Sequence, residues 1–123
     1  MPKILIVDDS STIRKVIGRL ICKVGLQPDD LQEASDGLQA IEALKNDSFD
    51  LIISDINMPN MNGVEFISLV KSMGIKTPIL VVSSESEDKF FITIKYGAGG
   101  FMKKSLFVHF MELLSSDGSS SQE

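Results

Sequence analysis

The chain has 123 residues, of which 43% are hydrophobic and 24% charged, a balance that fits one compact domain rather than two or a disordered segment. Twelve basic against seventeen acidic residues leave a net charge of −5, which argues against a nucleic-acid binder that works by neutralising phosphates. No apolar run exceeds four residues, and Met1-Pro2-Lys3 leads straight into a short apolar segment, so neither a membrane span nor a secretory signal is expected and the chain reads as cytoplasmic. The single cysteine, Cys22, can form no internal disulfide, which agrees with a reducing compartment.

Short β-type runs alternate with longer stretches of helical period. A strand is expected at Lys3 to Val7, followed by a helix from Ser11 to Val24 in which Ile13, Val16, Ile17, Leu20, Ile21 and Val24 form one apolar stripe, with Ser10 or Ser11 as cap and Gly25 as stop. A second strand around Leu31 to Ala34 precedes a helix from about Gly37 to Asn46. A third strand, Leu51 to Ser54, precedes a helix from Gly63 to Met73 with Phe66, Ile67, Val70 and Met73 on one face. The fourth strand, Ile79 to Val82, is followed by the weakest helix, roughly Glu85 to Tyr96, whose Phe90-Phe91-Ile92-Thr93-Ile94 run is aromatic and β-branched. A fifth strand around Gly100 to Lys103 and a helix from about Leu106 to Ser115, striped by Phe107, Phe110, Met111 and Leu114, complete five βα units. The first and fourth strands are continuously apolar, as parallel strands covered on both faces are. An α/β, doubly wound parallel sheet follows. Residues 1–115 are read as the domain, and 116–123, without apolar residues, as a flexible C-terminal tail or the start of a linker.

In open parallel sheets ligands bind outside the carboxyl ends of the strands. Those ends carry Asp8 and Asp9, then Asp55, then Ser83 and Ser84, then Lys104. Three converging carboxylates are costly to keep ionised without a cation, and an all-oxygen donor set selects a hard ion such as Mg²⁺. Together with the Lys104 ammonium this makes a phosphoryl-transfer pocket, in which a carboxylate can act as nucleophile and form an acyl phosphate. Asp55, between the other groups, is the candidate.

Asp8-Asp9, the stretch Ile53-Ser54-Asp55-Ile56-Asn57-Met58-Pro59-Asn60-Met61-Asn62-Gly63, Ser83 and Lys104 together resemble a response-regulator receiver domain over about Lys3 to Leu114, and among receivers the single-domain chemotaxis type. The resemblance implies a flavodoxin-like fold with strand order 2-1-3-4-5 flanked by five helices. It implies that Asp55 takes a phosphoryl group from the phosphohistidine of a sensor histidine kinase or phosphotransfer protein. It assigns Mg²⁺ to Asp9 and Asp55 by side chain, to Asn57 by its backbone carbonyl and to Asp8 largely through water. Lys104 and Ser83 would contact phosphoryl oxygens, Phe101 would be the switch aromatic, and Asn57 and Glu85 would tune dephosphorylation toward a short lifetime. The output would be altered binding of a downstream target through the face made by the fourth helix, fifth strand and fifth helix, with no nucleic acid or membrane contacted directly. A stand-alone regulator, not itself an enzyme beyond hydrolysing its own acyl phosphate, is expected; the alternative is a receiver fragment of a longer multidomain regulator.

Departures from the family pattern carry expectations of their own. The lysine is followed by Ser105 in place of the usual proline, for which a cis Lys104–Ser105 bond is expected despite its cost of ~2.5–4 kcal/mol. The interval from Ser83 to Gly97 is one position short, and Phe101 lacks the polar tip that would fix an outward rotamer.

Each residue alone has a plainer explanation: Asp8-Asp9 as helix capping, Asp55 as a loop acid, Lys104 as a solvated charge. Their joint occurrence at the strand ends outweighs these. His109 falls off the stripe of the last helix and is expected to be exposed, and the scattered methionines to fill core. Other classes share parts of the pattern. A metal-dependent aspartyl-phosphate hydrolase would carry its nucleophile after the first strand and needs a cap insertion. A flavodoxin-like cofactor binder would need a hydroxyl- and glycine-rich cradle where Asp8-Asp9 stand, and a purely structural pseudo-receiver would not keep the full set.

Overall fold

The computed structural model describes residues 2–83 and 93–120. In chain order the elements are β1 (Ile4–Val7), α1 (Ser11–Lys23), a 3₁₀ turn (Pro28–Asp30), β2 (Leu31–Ala34), α2 (Gly37–Asn46), β3 (Leu51–Ser54), α3 (Gly63–Ser72), β4 (Ile79–Ser83), β5 (Gly100–Lys103) and α5 (Lys104–Ser120); between β4 and β5 residues 93–95 are helical and are labelled α4. The strands pair in parallel in the order β2-β1-β3-β4-β5. This is the expected doubly wound sheet, with its order reversing at β1.

Local chemistry starts the helices where the sequence places them. Ser10 accepts the Ile13 amide at 3.2 Å to cap α1, Asp36 accepts the Gln39 amide at 2.8 Å to cap α2, and Asn62 and Glu65 form a reciprocal capping box on α3. Each cap satisfies amide donors that the first turn leaves without partners. Two apolar clusters flank the sheet. The larger packs α2 and α3, through Ile41, Leu44, Phe66, Ile67 and Val70, on Leu5, Ile52 and Ile79. The smaller packs α1 and α5, through Ile17, Ile21 and Phe107, on Ile4, Ile6, Ile53 and Val82.

The last helix departs from expectation in three ways. It begins at Lys104, before the expected Leu106, and runs past the expected end at Ser115 to Ser120, because adding a turn to a formed helix costs far less than starting one. The Lys104–Ser105 peptide is trans, which corrects the expected cis bond: Lys104 is the first helical residue, and its ammonium reaches the site without the penalty of a cis bond. Of the expected stripe, Phe107 is buried and Met111 half-buried, whereas Phe110 and Leu114 are 49% and 43% exposed. The period was right, but α1 and the sheet edge offer surface for only part of the stripe. His109 is exposed, as expected. Glu85, Phe90 and Phe91 lie outside the described residues.

Candidate functional site

The site lies where the sheet order reverses, between the carboxyl ends of β1 and β3, the place where neighbouring connections diverge and leave a crevice. Ladder bonds continue past both strands and fix the acids: the Asp8 amide donates to the Ala34 carbonyl at 3.1 Å and the Asp55 amide to the Val7 carbonyl at 2.9 Å. Carboxylate oxygens of Asp8, Asp9 and Asp55 lie within 4.8 Å of one another. Asp8 and Asp55 are buried, at 2% and 6% exposure, while Asp9 is open to solvent.

Each buried acid is held by backbone donors on one oxygen and Lys104 on the other. Asp8 Oδ1 accepts the Ser10 amide at 2.9 Å, and Asp8 Oδ2 lies 3.2 Å from Lys104 Nζ. Asp55 Oδ1 accepts the Ile56 amide at 2.7 Å and the Asn57 amide at 3.4 Å, and Asp55 Oδ2 lies 3.3 Å from the same ammonium. One lysine thus bridges two carboxylates. Burial pushes the Asp8 carboxyl above its usual range, and the Asp55 carboxylate pushes it the same way, against the Ser10 amide and Lys104. Burial by itself would lower the Lys104 ammonium, but the charges of Asp55 and Asp8 outweigh it and hold it above its usual value.

Among the described residues Lys104 is the only cation within ion-pair distance of Asp8 and Asp55, so the three acids carry more negative charge than the site neutralises. This excess, the all-oxygen donor set and the exposed Asp9 beside two buried acids fit a hard divalent cation that keeps open positions for further oxygen ligands.

Of the other predicted residues, Glu85 lies outside the described residues, and Asn57, Ser83 and Phe101 are placed by the β3–α3 loop, β4 and β5. Asn57 is two residues past Asp55 in the β3–α3 loop and exposed. Ser83 ends β4 and is fully buried, in register with Lys103. Phe101 pairs with Val81 in β5 and is half-buried against the α2–α3 cluster.

Two residues shape the site without having been assigned a role from sequence. Arg14 Nη1 donates to the Asp8 carbonyl and Arg14 Nε to Glu33 Oε1, tying the β1–α1 turn to β2; it sits beside the apolar stripe of α1, and nothing in the periodicity marks it. Gly63 opens α3 and donates its amide to the Ile56 carbonyl at 2.7 Å. A Cβ there would lie 2.5 Å from Ile56 Cα, so only glycine lets α3 start this close to the loop that carries Asp55 and Asn57. Its signal was its place at the end of the acceptor stretch. The same loop is pinned at its far side, where Asn60, at φ 69°, donates from Nδ2 to Asp36 Oδ2 at 2.8 Å.

Comparison with known proteins places the chain in a family. Residues 4–114 match the family described as the response regulator receiver domain. The chain is 35% identical over 105 residues to chemotaxis protein CheY-3 of Vibrio cholerae, covering 83% of this chain and 79% of that protein. It is also 35% identical to a protein-glutamate methylesterase/protein-glutamine glutaminase of Treponema denticola, 83% of this chain aligning with 28% of that longer protein. The crystal structure of chemotaxis protein CheY4 of Vibrio cholerae superposes with a TM-score of 0.76 at 36% identity, covering 85% of this chain and 87% of that one. A buried acid pair bridged by lysine at the reversal point of a 2-1-3-4-5 sheet, and a family match over nearly the whole length, lead to one conclusion: the chain belongs to the response regulator receiver domain family of two-component systems.

Proposed function

We propose that Asp55 is the phosphoryl acceptor of a Mg²⁺-dependent transfer from a phosphohistidine, and that the acyl phosphate formed there alters a protein-binding surface. The observation that carries this reading is the convergence of Asp8, Asp9 and Asp55 within 4.8 Å, with Lys104 3.3 Å from Asp55. An Asp55 carboxylate oxygen attacks phosphorus, the P–N bond to the donor imidazole breaks, and the imidazole nitrogen keeps the electron pair. The Ile56 and Asn57 amides hold Oδ1 of Asp55 and leave Oδ2, on the Lys104 side, as the reacting oxygen. Lys104 then meets the transferred phosphoryl oxygens as a preformed cation, with no reorganisation needed at the moment of transfer.

Asp9 and Asp55 by side chain, Asn57 by backbone carbonyl and Asp8 through water are the residues that would hold the Mg²⁺. A divalent ion there supplies charge neutralisation for the phosphoryl oxygens. Ser83 donates a hydroxyl to one of those oxygens after transfer, and Phe101 follows into the space its movement leaves, so that a local charge reshapes the surface made by α4, β5 and α5. Asn57 and Glu85 control the approach of hydrolytic water, which predicts a short-lived phosphoryl group. The protein is a regulator whose only chemistry is on its own aspartate. Its partners are a histidine kinase or phosphotransfer protein upstream and a target protein downstream, and its similarity to two chemotaxis proteins supports a role of that kind.

Isothermal titration with Mg²⁺ tests the site. Wild type is expected to bind one ion, and Asp9→Asn and Asp55→Asn to lose binding; uptake unchanged in both variants would overturn the assignment. Capture of targets by protein loaded with beryllofluoride, compared with Asp55→Asn, tests the output, and identical sets of bound proteins would contradict the switch.

A further inference from the structure

We infer that the groove between α1 and β2 is a docking site for an acidic amphipathic helix of a partner protein, separate from the phosphoryl site and independent of its chemistry. On one face of the five-stranded sheet the layer consists of α1 and α5, which pack against each other over the central strands. The edge strand β2 is covered by α2 from the opposite side. Beside α1 this leaves a groove of about 420 Å³ floored by Gly18, Cys22, Pro28 and Leu31. It follows α1 from Arg14 to Cys22, roughly 12 Å at 1.5 Å per residue. A third helix laid there at the usual helix spacing would continue the layer.

The groove's lining is apolar at Ile6, Gly18, Cys22 and Leu31, cationic on the α1 side at Arg14, Lys15 and Arg19, and carries on the β2 side one acid, Glu33, which Arg14 already pairs. α1 carries Arg14, Lys15, Arg19 and Lys23 and no acidic residue, in a chain whose net charge is −5. Arg14 is fixed by Glu33 and the Asp8 carbonyl. The side chains of Lys15 and Arg19, one turn apart and both exposed, make no hydrogen bond or ion pair among the described residues. An apolar stripe flanked by carboxylates on the α1 side complements this surface in shape and in charge, and opposite charge at a rim selects partners and speeds their encounter.

Gly18 adds an independent observation. A glycine inside a helix costs about 1 kcal/mol relative to alanine. A Cβ at Gly18 would sit 3.5 Å from Leu31 Cδ1, an ordinary contact, so the packing of this domain does not require glycine there. What the missing side chain does is keep the groove floor low along the middle of α1.

The test is a ¹⁵N–¹H correlation titration of the full chain with a synthetic amphipathic helical peptide that bears leucine on one face and glutamate on the other. A counterpart with lysine for every glutamate serves as comparison. Shifts confined to α1 and β2 with the glutamate peptide are expected, with none from the lysine peptide. The double variant Lys15→Glu/Arg19→Glu and the groove-filling Gly18→Leu are each expected to weaken binding by about tenfold or more. Phosphoryl uptake from acetyl phosphate serves as the folding control. Equal response to both peptides, no response to either, shifts elsewhere on the protein, or full binding by the double variant would overturn the proposal. So would saturation of the same residues by citrate alone, which would mark a small-anion site, or their shifting with protein concentration, which would mark a second copy as the occupant.

Discussion

On the face covered by α2 and α3, Phe66, Ile67 and Val70 are fully buried against Leu5, Ile52 and Ile79, whereas on the opposite face α5 buries Phe107 but leaves Leu106, Phe110, Leu113 and Leu114 between 43% and 55% exposed. Both helices carry apolar residues at helical spacing. The difference lies in what faces them: α3 meets the central strands along its length, while α5 runs beyond the surface that α1 and the sheet edge can offer. The site draws its rigidity from the finished side, since the Asp55 loop leads into α3, and its cation from the unfinished one, since Lys104 opens α5. A domain that must hold an acid in place and still change its outer surface is well served by that division.

Substitutions on the two faces test this contrast directly. Phe66→Ala removes a fully buried ring and is expected to destabilise by about 3–5 kcal/mol in urea unfolding; a loss below about 1 kcal/mol would mean that the α2–α3 cluster is not the main core. Gly63→Ala forces a Cβ against the Ile56 backbone, at an expected cost of about 1–3 kcal/mol, and displaces the Asp55 loop so that phosphoryl uptake slows. Uptake at the wild-type rate would show that the close approach does not position the loop.

Asp8→Asn is expected to act in the other direction. The folded state raises the Asp8 pKa above that of the unfolded chain, so this group favours folding while protonated. That contribution is fully present below the ordinary carboxylate range and is lost as pH rises through the raised value. Above that raised value and without metal the ionised group therefore costs stability, and Asp8→Asn should raise stability there by about 1 kcal/mol, the common size of single-residue effects. The gain should shrink as pH falls through the raised Asp8 pKa, and a gain that instead grows on acidification would contradict the electrostatic account. The smallest effect is expected on α5, where Phe110→Ala should change stability by no more than about 0.5 kcal/mol, because half its ring already faces solvent. A loss comparable to that of Phe66→Ala would show that the face is covered in solution.

Much of the fold and the acidic part of the site were legible in the sequence because they rest on local rules. The cap at Ser10, the apolar spacing of the helices and the continuous apolar strands state where elements lie and which strands are buried on both sides, and the strand ends then bring Asp8, Asp9, Asp55 and Lys104 to one rim. What escaped depends on tertiary distances. The trans Lys104–Ser105 bond follows from α5 starting at Lys104, the exposure of Phe110 from the reach of α1, and the roles of Arg14 and Gly63 from approaches between segments distant in sequence. Periodicity reports which face of a helix is apolar; it does not report whether anything covers that face.

The central claim is that Asp55 becomes an acyl phosphate under the influence of a divalent cation. Its most direct test is peptide-resolved mass spectrometry of the protein after brief treatment with acetyl phosphate, with Mg²⁺ or with excess chelator. One added phosphoryl group at Asp55, present only with Mg²⁺ and absent from Asp55→Asn, is the predicted result; an unmodified Asp55 in the presence of Mg²⁺, or the same modification elsewhere in Asp55→Asn, would contradict it.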